Sequence, residues 1–176
     1  LGVMGFHSFL QKKRIPLESV MAKSWNKKIF KQIDEQVNQA SKHLAEERGA
    51  CPDAAEYGFQ ERFSNKTAIA PTASISIICG GSSPGIEPIA ANSYTHKTLS
   101  GSFNVRNKYL KKILQKYNQD TDEVWSTITT NQGSVSHLNF LSANEKDTFK
   151  LLSRSIKGGL LNLAQIELRT YHKHSQ

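Results

Sequence analysis

A long amphipathic stripe runs through the first third of the chain. From Met21 onward, apolar or small residues recur at steps of three or four, at Trp25, Ile29, Ile33, Val37, Ala40 and Leu44. An α-helix repeats every 3.6 residues, so this spacing places all of them on one face of a helix. Glycine is common just beyond a helix C-terminus, and Gly49 is expected to end this one. The pattern therefore predicts one long helix from Met21 to Gly49.

Shorter helical patterns lie on either side of this helix. Residues 1–14 are mostly apolar and are predicted to be the end of a buried helix, which Pro16 stops because proline has no N–H to donate. Three short amphipathic segments, 106–117, 121–131 and 143–150, are also predicted to be helices.

Two apolar runs are predicted to be buried strands. Thr67–Ala70 follows a polar connection over residues 50–66, and Ile86–Ala91 follows a loop rich in glycine and serine from Gly80 to Gly85. An extended stretch is expected from there to Val105. The pattern thus alternates helices with short buried strands.

A proline and several hydroxyl residues follow the first of these strands. Pro71 ends the apolar run, and Thr72, Ala73, Ser74, Ile75 and Ser76 then suit the start of a helix. The first N–H groups of a helix have no partner within it and attract anions, while small and hydroxyl residues let a phosphate approach. Serine and threonine also cap helices for purely local reasons, and the residues alone favour that interpretation.

Charge and composition change this picture little. The 176-residue chain carries a formal net charge of +8, which invites a nucleic-acid-binding interpretation. Much of the excess lies at residues 12–14 and 108–112, where lysine and arginine alternate with apolar residues, as on solvated helix faces. No apolar run approaches the ~18 residues that span a bilayer, and no signal peptide is visible. A cytoplasmic protein without membrane contact is expected.

Other candidate chemistry is sparse. Two cysteines, Cys51 and Cys79, are too few for a disulfide framework or an all-cysteine zinc site, and the histidines lack paired spacing, so no metal site is expected. Both cysteines are interpreted as structural, with Cys79 a buried thiol. Glu87 suits a general base or a structural carboxylate, and His96 faces the same choice; the structural role is favoured for both. No Walker motif follows the glycines.

Several sequence motifs, in the family's order, resemble the large subunit of class I ribonucleotide reductases. The main one is the string Asn65–Gly80, which continues through Ser83–Pro88 and Asn92–Phe103. Leu1–His7 resembles a helix start that precedes this region in the family. Arg48–Pro52 resembles the connection that precedes the strand in the family. The resemblance covers residues 1 to about 150.

The resemblance implies an α/β fold, specifically a helix-rich part of the family's ten-stranded α/β barrel. It implies that Pro71, Thr72, Ala73, Ser74 and Ile75 bind the substrate diphosphate through backbone N–H groups at a helix start. The expected activity is reduction of ribonucleoside diphosphates to deoxyribonucleotides for DNA synthesis by a thiyl radical. The expected partners are a metal-containing small subunit that supplies the radical, thioredoxin or glutaredoxin, a second large subunit, and ATP or dNTP effectors.

The same resemblance implies that the catalytic machinery lies outside this sequence. The family's radical cysteine, redox cysteine pair, radical-relay tyrosines and effector-binding regions have no counterpart motif here. The apolar start at Leu1 is interpreted as a cut within a domain. The chain is therefore expected to contain no catalytic residue, to bind no cofactor by itself, and to be inactive in isolation.

The resemblance stops at Lys150. Family members continue in a pattern similar to T-A-F-E-I-D-Q-R-W, whereas this chain continues as Leu151–Gly159 with unrelated residues. Codons can be chosen for residues 151–176 that give a family-like sequence when read one nucleotide earlier. The hypothesis is that a nucleotide was lost near codon 150, so residues 1–150 form a partial barrel domain and 151–176 an aberrant tail.

Two alternatives remain open from the sequence. A cobalamin-dependent ribonucleotide reductase shares the barrel and a similar phosphate site, although the segment Tyr94–Ser102 favours the class with a separate radical subunit. The second alternative is a non-catalytic remnant that binds phosphate or nucleic acid.

Overall fold

The computed structural model describes residues 1–98 and 101–151, apart from the side chains of residues 96–98. The elements occur in the order α1 (Phe6–Lys13), α2 (Val20–Arg48), α3 (Pro52–Glu56), α4 (Ala73–Ile78), β1 (Ser93–Thr98), β2 (Gly101–Arg106), α5 (Lys108–Lys116), α6 (Asp122–Thr130) and α7 (Ala143–Thr148). Of the predicted tail, 151–176, only Leu151 is described, and it is buried; residues 152–176 lie outside the described residues.

The predicted helices are confirmed where local signals are strong. Side chains at four helix starts accept hydrogen bonds from backbone N–H groups of the first turn: Ser19 in α2, Asn107 in α5, Thr121 in α6 and Ser142 in α7. Each cap satisfies a donor that the helix itself leaves unpaired. The first predicted helix is shorter than expected, because α1 begins only after Gly5. A short helix, α3, lies within the connection that was expected to be irregular.

The long helix buries a line of residues one position away from the predicted stripe. Its buried residues are Ala22, Asn26, Phe30, Ser41 and Ala45, whereas most of the predicted stripe is half-buried and Ala40 is exposed. Small residues let neighbouring segments approach the backbone closely. The Ser41 hydroxyl, for example, accepts hydrogen bonds from the N–H groups of Arg62 and Phe63. Close approach buries the helix at Ser41, whereas nearer its start Phe30 is buried against the ring of Phe6.

The two predicted strands are absent. Thr67–Ala70 forms no strand, and Ile69 is 49% exposed. Ala68 donates to the carbonyl of Leu1, but a strand needs a ladder of such bonds along its length. Ile86–Ala91 is irregular as well.

A β-hairpin forms where a single extended stretch was expected. β1 and β2 pair antiparallel, with Ser93 opposite Arg106 and Tyr94 opposite Val105. These strands form the only sheet among the described residues, so the observed fold is helix-rich with a small β component.

Two apolar clusters form the core. The N-terminal cluster contains Phe6, Leu10, Ile15, Leu17 and Ala22 and joins α1 to α2. The larger C-terminal cluster unites α5, α6 and the following loops through Leu110, Ile113, Leu114, Trp125, Ile128, Val135, Leu138, Leu141 and Phe149. The segment 57–91, which contains α4, contributes no residue to either cluster. Among the described helices, none combines the length and apolar character needed to cross a bilayer.

Candidate functional site

The start of α4 has no side-chain cap. Thr72, the residue before the helix, adopts a left-handed conformation with φ 49° and ψ 27°, which is rare for a β-branched residue. Its hydroxyl oxygen accepts a hydrogen bond from the N–H of Gly85 at 2.7 Å instead of capping the helix. Because the N-cap side chain is engaged elsewhere, the N–H groups of the first turn of α4 remain available to another acceptor.

Gly85 fits this contact because it lacks a side chain. Its φ is +45°, and a Cβ atom there would lie 2.8 Å from the carbonyl oxygen of Ala70. Real Cβ atoms do not approach a backbone oxygen so closely, and positive φ is strained for residues other than glycine. Gly85 therefore brings the loop after α4 back against the segment that leads into it.

Helix α1 holds the same loop from the other side. Ser8 and Ser83 form a reciprocal pair: the N–H of Ser83 donates to the Ser8 hydroxyl at 2.8 Å, and the N–H of Ser8 donates to the Ser83 hydroxyl at 3.1 Å. Gly5 N–H donates to the Ser83 carbonyl at 2.9 Å. The start of α4 is thus connected to α1 through Thr72, Gly85 and Ser83.

The five residues predicted to bind substrate form one continuous turn. Pro71, Ala73, Ser74 and Ile75 are exposed, and Thr72 is half-buried. No acidic residue lies in the first turn of α4, so no carboxylate of that turn competes with an anion for its N–H groups. The hydroxyl of Ser74 is available at the surface. Whether these residues bind substrate stays a prediction.

Ser76 was expected to add a third hydroxyl donor, and that prediction is wrong. Its side chain is only 4% exposed. The hydroxyl donates to the carbonyl oxygen of Ala73 at 2.7 Å, within the same helix. A serine in a helix commonly bonds to its own backbone in this way, which removes it from ligand binding.

The remaining candidates do not gather into a second site. Cys79 is exposed, so the prediction of a buried thiol is wrong, and Cys51 is half-buried. Glu87 is exposed, and the side chain of His96 lies outside the described part of the chain. Among the described residues, no group of three or more histidine, cysteine or acidic side chains has metal-binding geometry.

A buried histidine beside this loop was not singled out from the sequence. His7 in α1 is 1% exposed, and its Nδ1 atom accepts a hydrogen bond from the N–H of Ile89 at 3.1 Å. Burial lowers the pKa of His7 to about 4, because a charged imidazole loses its hydration inside the protein. His7 is therefore neutral near pH 7. A single histidine in an apolar helix gives no sequence signal for this role.

A cavity of about 540 Å³ flanks α4 between α1 and the base of the hairpin. Ser76 and Ile77 line one side, and Gln11, Tyr94 and Asn107 are among the residues on the other. At its rim, the ammonium group of Lys108 donates to the carbonyl oxygen of Gly80 at 2.9 Å. Lys108 thus adds a positive charge beyond the C-terminal end of α4, where carbonyl groups concentrate negative potential.

A comparison with known protein families shows to which family the chain belongs. The family model described as "Ribonucleotide reductase, barrel domain" matches residues 1–61 and 53–165, which is most of the chain. The chain belongs to the ribonucleotide reductase barrel-domain family. The α/β class predicted from the sequence is therefore supported, although the described residues show only the hairpin as β structure.

Relatives within this family include a viral large subunit and a bacterial structure. The "Ribonucleoside-diphosphate reductase large subunit" of Invertebrate iridescent virus 3 is 47% identical over 153 residues, covering 85% of this chain and 24% of the relative. The "Actinobacillus ureae class Id ribonucleotide reductase alpha subunit" superposes with a TM-score of 0.84 at 35% identity, covering 96% of this chain and 30% of that one. The chain thus spans about a quarter of the length of the viral relative.

A cobalamin-type enzyme is also similar over a shorter range. The "Vitamin B12-dependent ribonucleoside-diphosphate reductase" of Thermoplasma acidophilum is 42% identical over 106 residues, which is 57% of this chain and 14% of that protein.

Proposed function

We propose that this chain is part of the large subunit of a ribonucleoside-diphosphate reductase, an oxidoreductase that makes deoxyribonucleotides. The observation that carries the proposal is the 47% identity to a viral large subunit across 85% of the chain. The high TM-score with a class Id alpha subunit supports it independently of the sequence motifs. Residues 1–150 would then be a portion of the ten-stranded barrel, completed by the rest of the subunit.

Within that subunit, this chain supplies the site for the substrate phosphates. The proposed ligands are the N–H groups at the start of α4 and the residues Pro71, Thr72, Ala73, Ser74 and Ile75. Support comes from the missing side-chain cap and the absence of an acidic residue in the first turn. Phosphates bind well at such a position, because unpaired N–H groups and the helix dipole both favour negative charge.

The chemical step needs groups from outside this chain. Reduction exchanges a ribose hydroxyl for hydrogen, releases water and takes two electrons from a pair of thiols. In the proposed assembly, a metal-containing small subunit supplies the radical that forms the thiyl, and thioredoxin or glutaredoxin restores the thiols. A second large subunit, ATP or dNTP effectors and a cytoplasmic setting complete the proposal. The isolated chain is then inactive.

A cobalamin-dependent reductase is the second candidate, favoured by the similarity to the Thermoplasma acidophilum enzyme over 57% of the chain. Two chimeras separate the candidates. Residues 1–150 would replace the matching segment of the Invertebrate iridescent virus 3 large subunit, and deoxynucleotide formation would be measured with that virus's small subunit. The 106 matched residues would likewise replace their counterpart in the Thermoplasma acidophilum enzyme, which would be assayed with adenosylcobalamin. The proposal expects activity only in the viral chimera. Activity only in the cobalamin-dependent chimera supports the second candidate, and inactivity of both contradicts the proposal.

Ser74→Asp tests the phosphate site in the chimera with the viral large subunit. A carboxylate in the first turn stabilises the helix through the dipole but repels a diphosphate bound at the same N–H groups. We therefore expect KM for the ribonucleoside diphosphate to rise at least about tenfold, roughly 1.4 kcal/mol of binding, while the thermal midpoint of unfolding stays the same or rises.

Ser74→Asn is the matched control, since it has the shape of aspartate without the charge. It is expected to raise KM less than threefold. Equal effects of the two substitutions, or an unchanged KM in Ser74→Asp, would show that the phosphates bind elsewhere.

The tail remains a separate proposal. We propose that residues 151–176 are read in a shifted frame after the loss of one nucleotide near codon 150. The family match ends at residue 165 and therefore includes part of this tail. The nucleotide sequence of the gene tests whether the frame is shifted. Sequencing across codon 150 should reveal the family-like continuation in the neighbouring frame. An intact relative that encodes the same tail in its own frame contradicts the proposal.

A further inference from the structure

The wall of the cavity beside α4 contains a hydrogen-bond donor that lacks an acceptor. Gln11 in α1 lines this cavity and is 2% exposed. Its Nε2 atom is shielded from bulk water and makes no hydrogen bond within the described part of the chain. A buried donor that stays unpaired costs free energy, so buried amides normally have an acceptor. A molecule bound in the cavity would supply one.

Neighbouring amides fix which end of the Gln11 side chain is unpaired. The Nδ2 atom of Asn107 donates to the Gln11 Oε1 atom at 3.1 Å and to the Asn92 Oδ1 atom at 2.8 Å. The Oδ1 atom of Asn107 accepts from the N–H groups of Tyr109 and Leu110, so the Asn107 amide cannot be reversed. Reversing Gln11 would set two NH₂ groups against each other. The unpaired end of Gln11 is therefore a donor, which selects a ligand with an acceptor.

The charges around the cavity favour an anionic acceptor. Arg106 and Lys108 line it, and among the described residues of its wall none is acidic. Arg106 is balanced by Asp122, whose carboxylate oxygen lies 2.8 Å from the guanidinium. Lys108 donates to the neutral carbonyl of Gly80 and has no carboxylate partner among the described residues. One positive charge is thus left unbalanced at the rim, and it attracts anions.

The rest of the wall suits an apolar ring. Aliphatic and aromatic side chains line the cavity, namely Ile77, Ile89, Tyr94, Val105 and Tyr109. The volume of about 540 Å³ lies in the range of small-molecule sites, which combine apolar walls with a few polar groups that orient the ligand. Aromatic side chains such as the two tyrosines also pack well against another ring.

We propose that this cavity binds a small organic anion, in which a carboxylate or phosphate group is attached to an apolar ring. The Gln11 amide donates to the oxyanion, Lys108 attracts it, and the apolar wall holds the ring. The cavity is separate from the proposed substrate-phosphate site, because of the residues Pro71–Ile75 only Ala73 lines it. The inference therefore goes beyond the proposed function and does not depend on it.

Ligand-observed NMR with the 176-residue chain tests this proposal. Benzoate and phenyl phosphate are the two probes, and they distinguish a carboxylate from a phosphate ligand. At least one is expected to bind with a dissociation constant of about 1 mM or lower, which is ordinary for about ten non-hydrogen atoms. Benzyl alcohol is the neutral control, and it should bind at least about tenfold more weakly because it lacks the charge.

Two substitutions locate the binding. Lys108→Gln should raise the dissociation constant at least about threefold, as expected for one partly solvated charge. Lys112→Gln is its control, because Lys112 is exposed on the same helix and does not line the cavity. Ile77→Trp should fill the cavity and abolish binding, whereas Ile78→Trp should not, because Ile78 is 83% exposed and lies outside the wall. Circular dichroism verifies that the variants are folded.

Three outcomes would overturn the inference: no saturable binding of either probe, equal binding of benzyl alcohol, or unchanged binding in both Lys108→Gln and Ile77→Trp. Ser74→Asp in the 176-residue chain separates this cavity from the start of α4. Binding that survives Ser74→Asp supports the cavity, and binding abolished by it would place the anion at the start of α4. Probe binding in the cavity with an unchanged KM in the Ser74→Asp chimera contradicts only the proposed phosphate site. A raised KM there without probe binding contradicts only this inference.

Discussion

Asn92→Asp is expected to destabilise the chain by about 3 kcal/mol or more, because an acceptor would replace a donor that two buried carbonyls require. The Nδ2 atom of Asn92 donates to the carbonyl oxygens of Gly133 at 3.0 Å and of Phe149 at 2.8 Å. Its Oδ1 atom accepts from the side chain of Asn107 at 2.8 Å. The side chain is 1% exposed, so water cannot take over these roles.

The expected loss is large because Asn92 joins distant segments. Asn107 also donates to Gln11 in α1 and caps α5. One amide network thereby links α1, the hairpin, α5 and the loops that carry Gly133 and Phe149. In Asn92→Asp, a carboxylate oxygen would face the carbonyl oxygens of Gly133 and Phe149, and the Phe149 carbonyl would lose the amide that donates to it. Either the carboxyl protonates at a cost or the segments separate, and both outcomes lower the free energy of unfolding.

Urea denaturation followed by tryptophan fluorescence measures this change. Asn104→Asp is the matched control: Asn104 lies in β2, is exposed, and accepts one hydrogen bond from the Thr95 hydroxyl. The same chemical change there is expected to cost under about 0.5 kcal/mol. If Asn92→Asp lost less than 1 kcal/mol, the network could not be what holds these segments together.

The sequence predicts those elements whose signals are local. Helices α5, α6 and α7 follow from apolar spacing, and Asn107, Thr121 and Ser142 confirm their starts by accepting backbone hydrogen bonds. In each case a few neighbouring residues contain the information, because a helix satisfies its backbone within itself.

Predictions that depend on distant neighbours fail more often. Thr67–Ala70 has the composition of a buried strand, yet a strand needs a ladder of backbone hydrogen bonds to a neighbouring strand. This segment only has the bond from Ala68 to Leu1, beside the bond from Leu1 to Lys66. The buried line of α2 lies one residue from the predicted stripe, and at Ser41 this is because the backbone of Arg62 and Phe63 approaches and donates to its hydroxyl. Neither effect is visible from the periodicity of the helix alone.

In the candidate site, too, the sequence predicts the local feature but not the contact with a distant residue. The turn at Pro71–Ile75 is recognisable from a proline followed by hydroxyl residues. The engagement of Thr72 by Gly85, thirteen residues later, depends on a backbone fold that the sequence does not specify locally. Ser76 shows the opposite error, since a hydroxyl that suits an anion site bonds to its own helix instead.

Acid is expected to destabilise the chain through His7 before most carboxylates titrate. Burial lowers the pKa of His7 to about 4 in the folded chain, whereas the unfolded chain has the ordinary value of 6.5. Between these values the unfolded chain binds a proton that the folded chain does not, so stability falls as pH decreases from 6.5 to 4 and levels off below that. The slope reaches about 1.4 kcal/mol per pH unit, and the total is roughly 3 kcal/mol.

Comparison with His7→Asn isolates this contribution. An asparagine oxygen can accept the N–H of Ile89 but does not titrate in this range, so the free energy of unfolding of wild type relative to the variant should fall by about 3 kcal/mol from pH 7 to pH 4. Glu61, Asp120, Glu123 and Glu145 have lowered pKa values and also lose stabilisation in acid. They are common to both proteins and cancel in the difference.

His43→Asn is the control for a histidine in water, since His43 lies exposed on α2 near Glu46 and Glu47. The His43→Asn variant should keep the acid-dependent fall in stability of the wild type, because its His7 is still buried. A flat difference curve for His7→Asn would mean that His7 is solvated. A fall in stability that begins only below pH 4.5 and is equal in wild type and His7→Asn would assign the acid sensitivity to carboxylates. A fall centred between pH 6.5 and 4 connects the packing of α1 against Ile89 directly to the protonation of one buried ring.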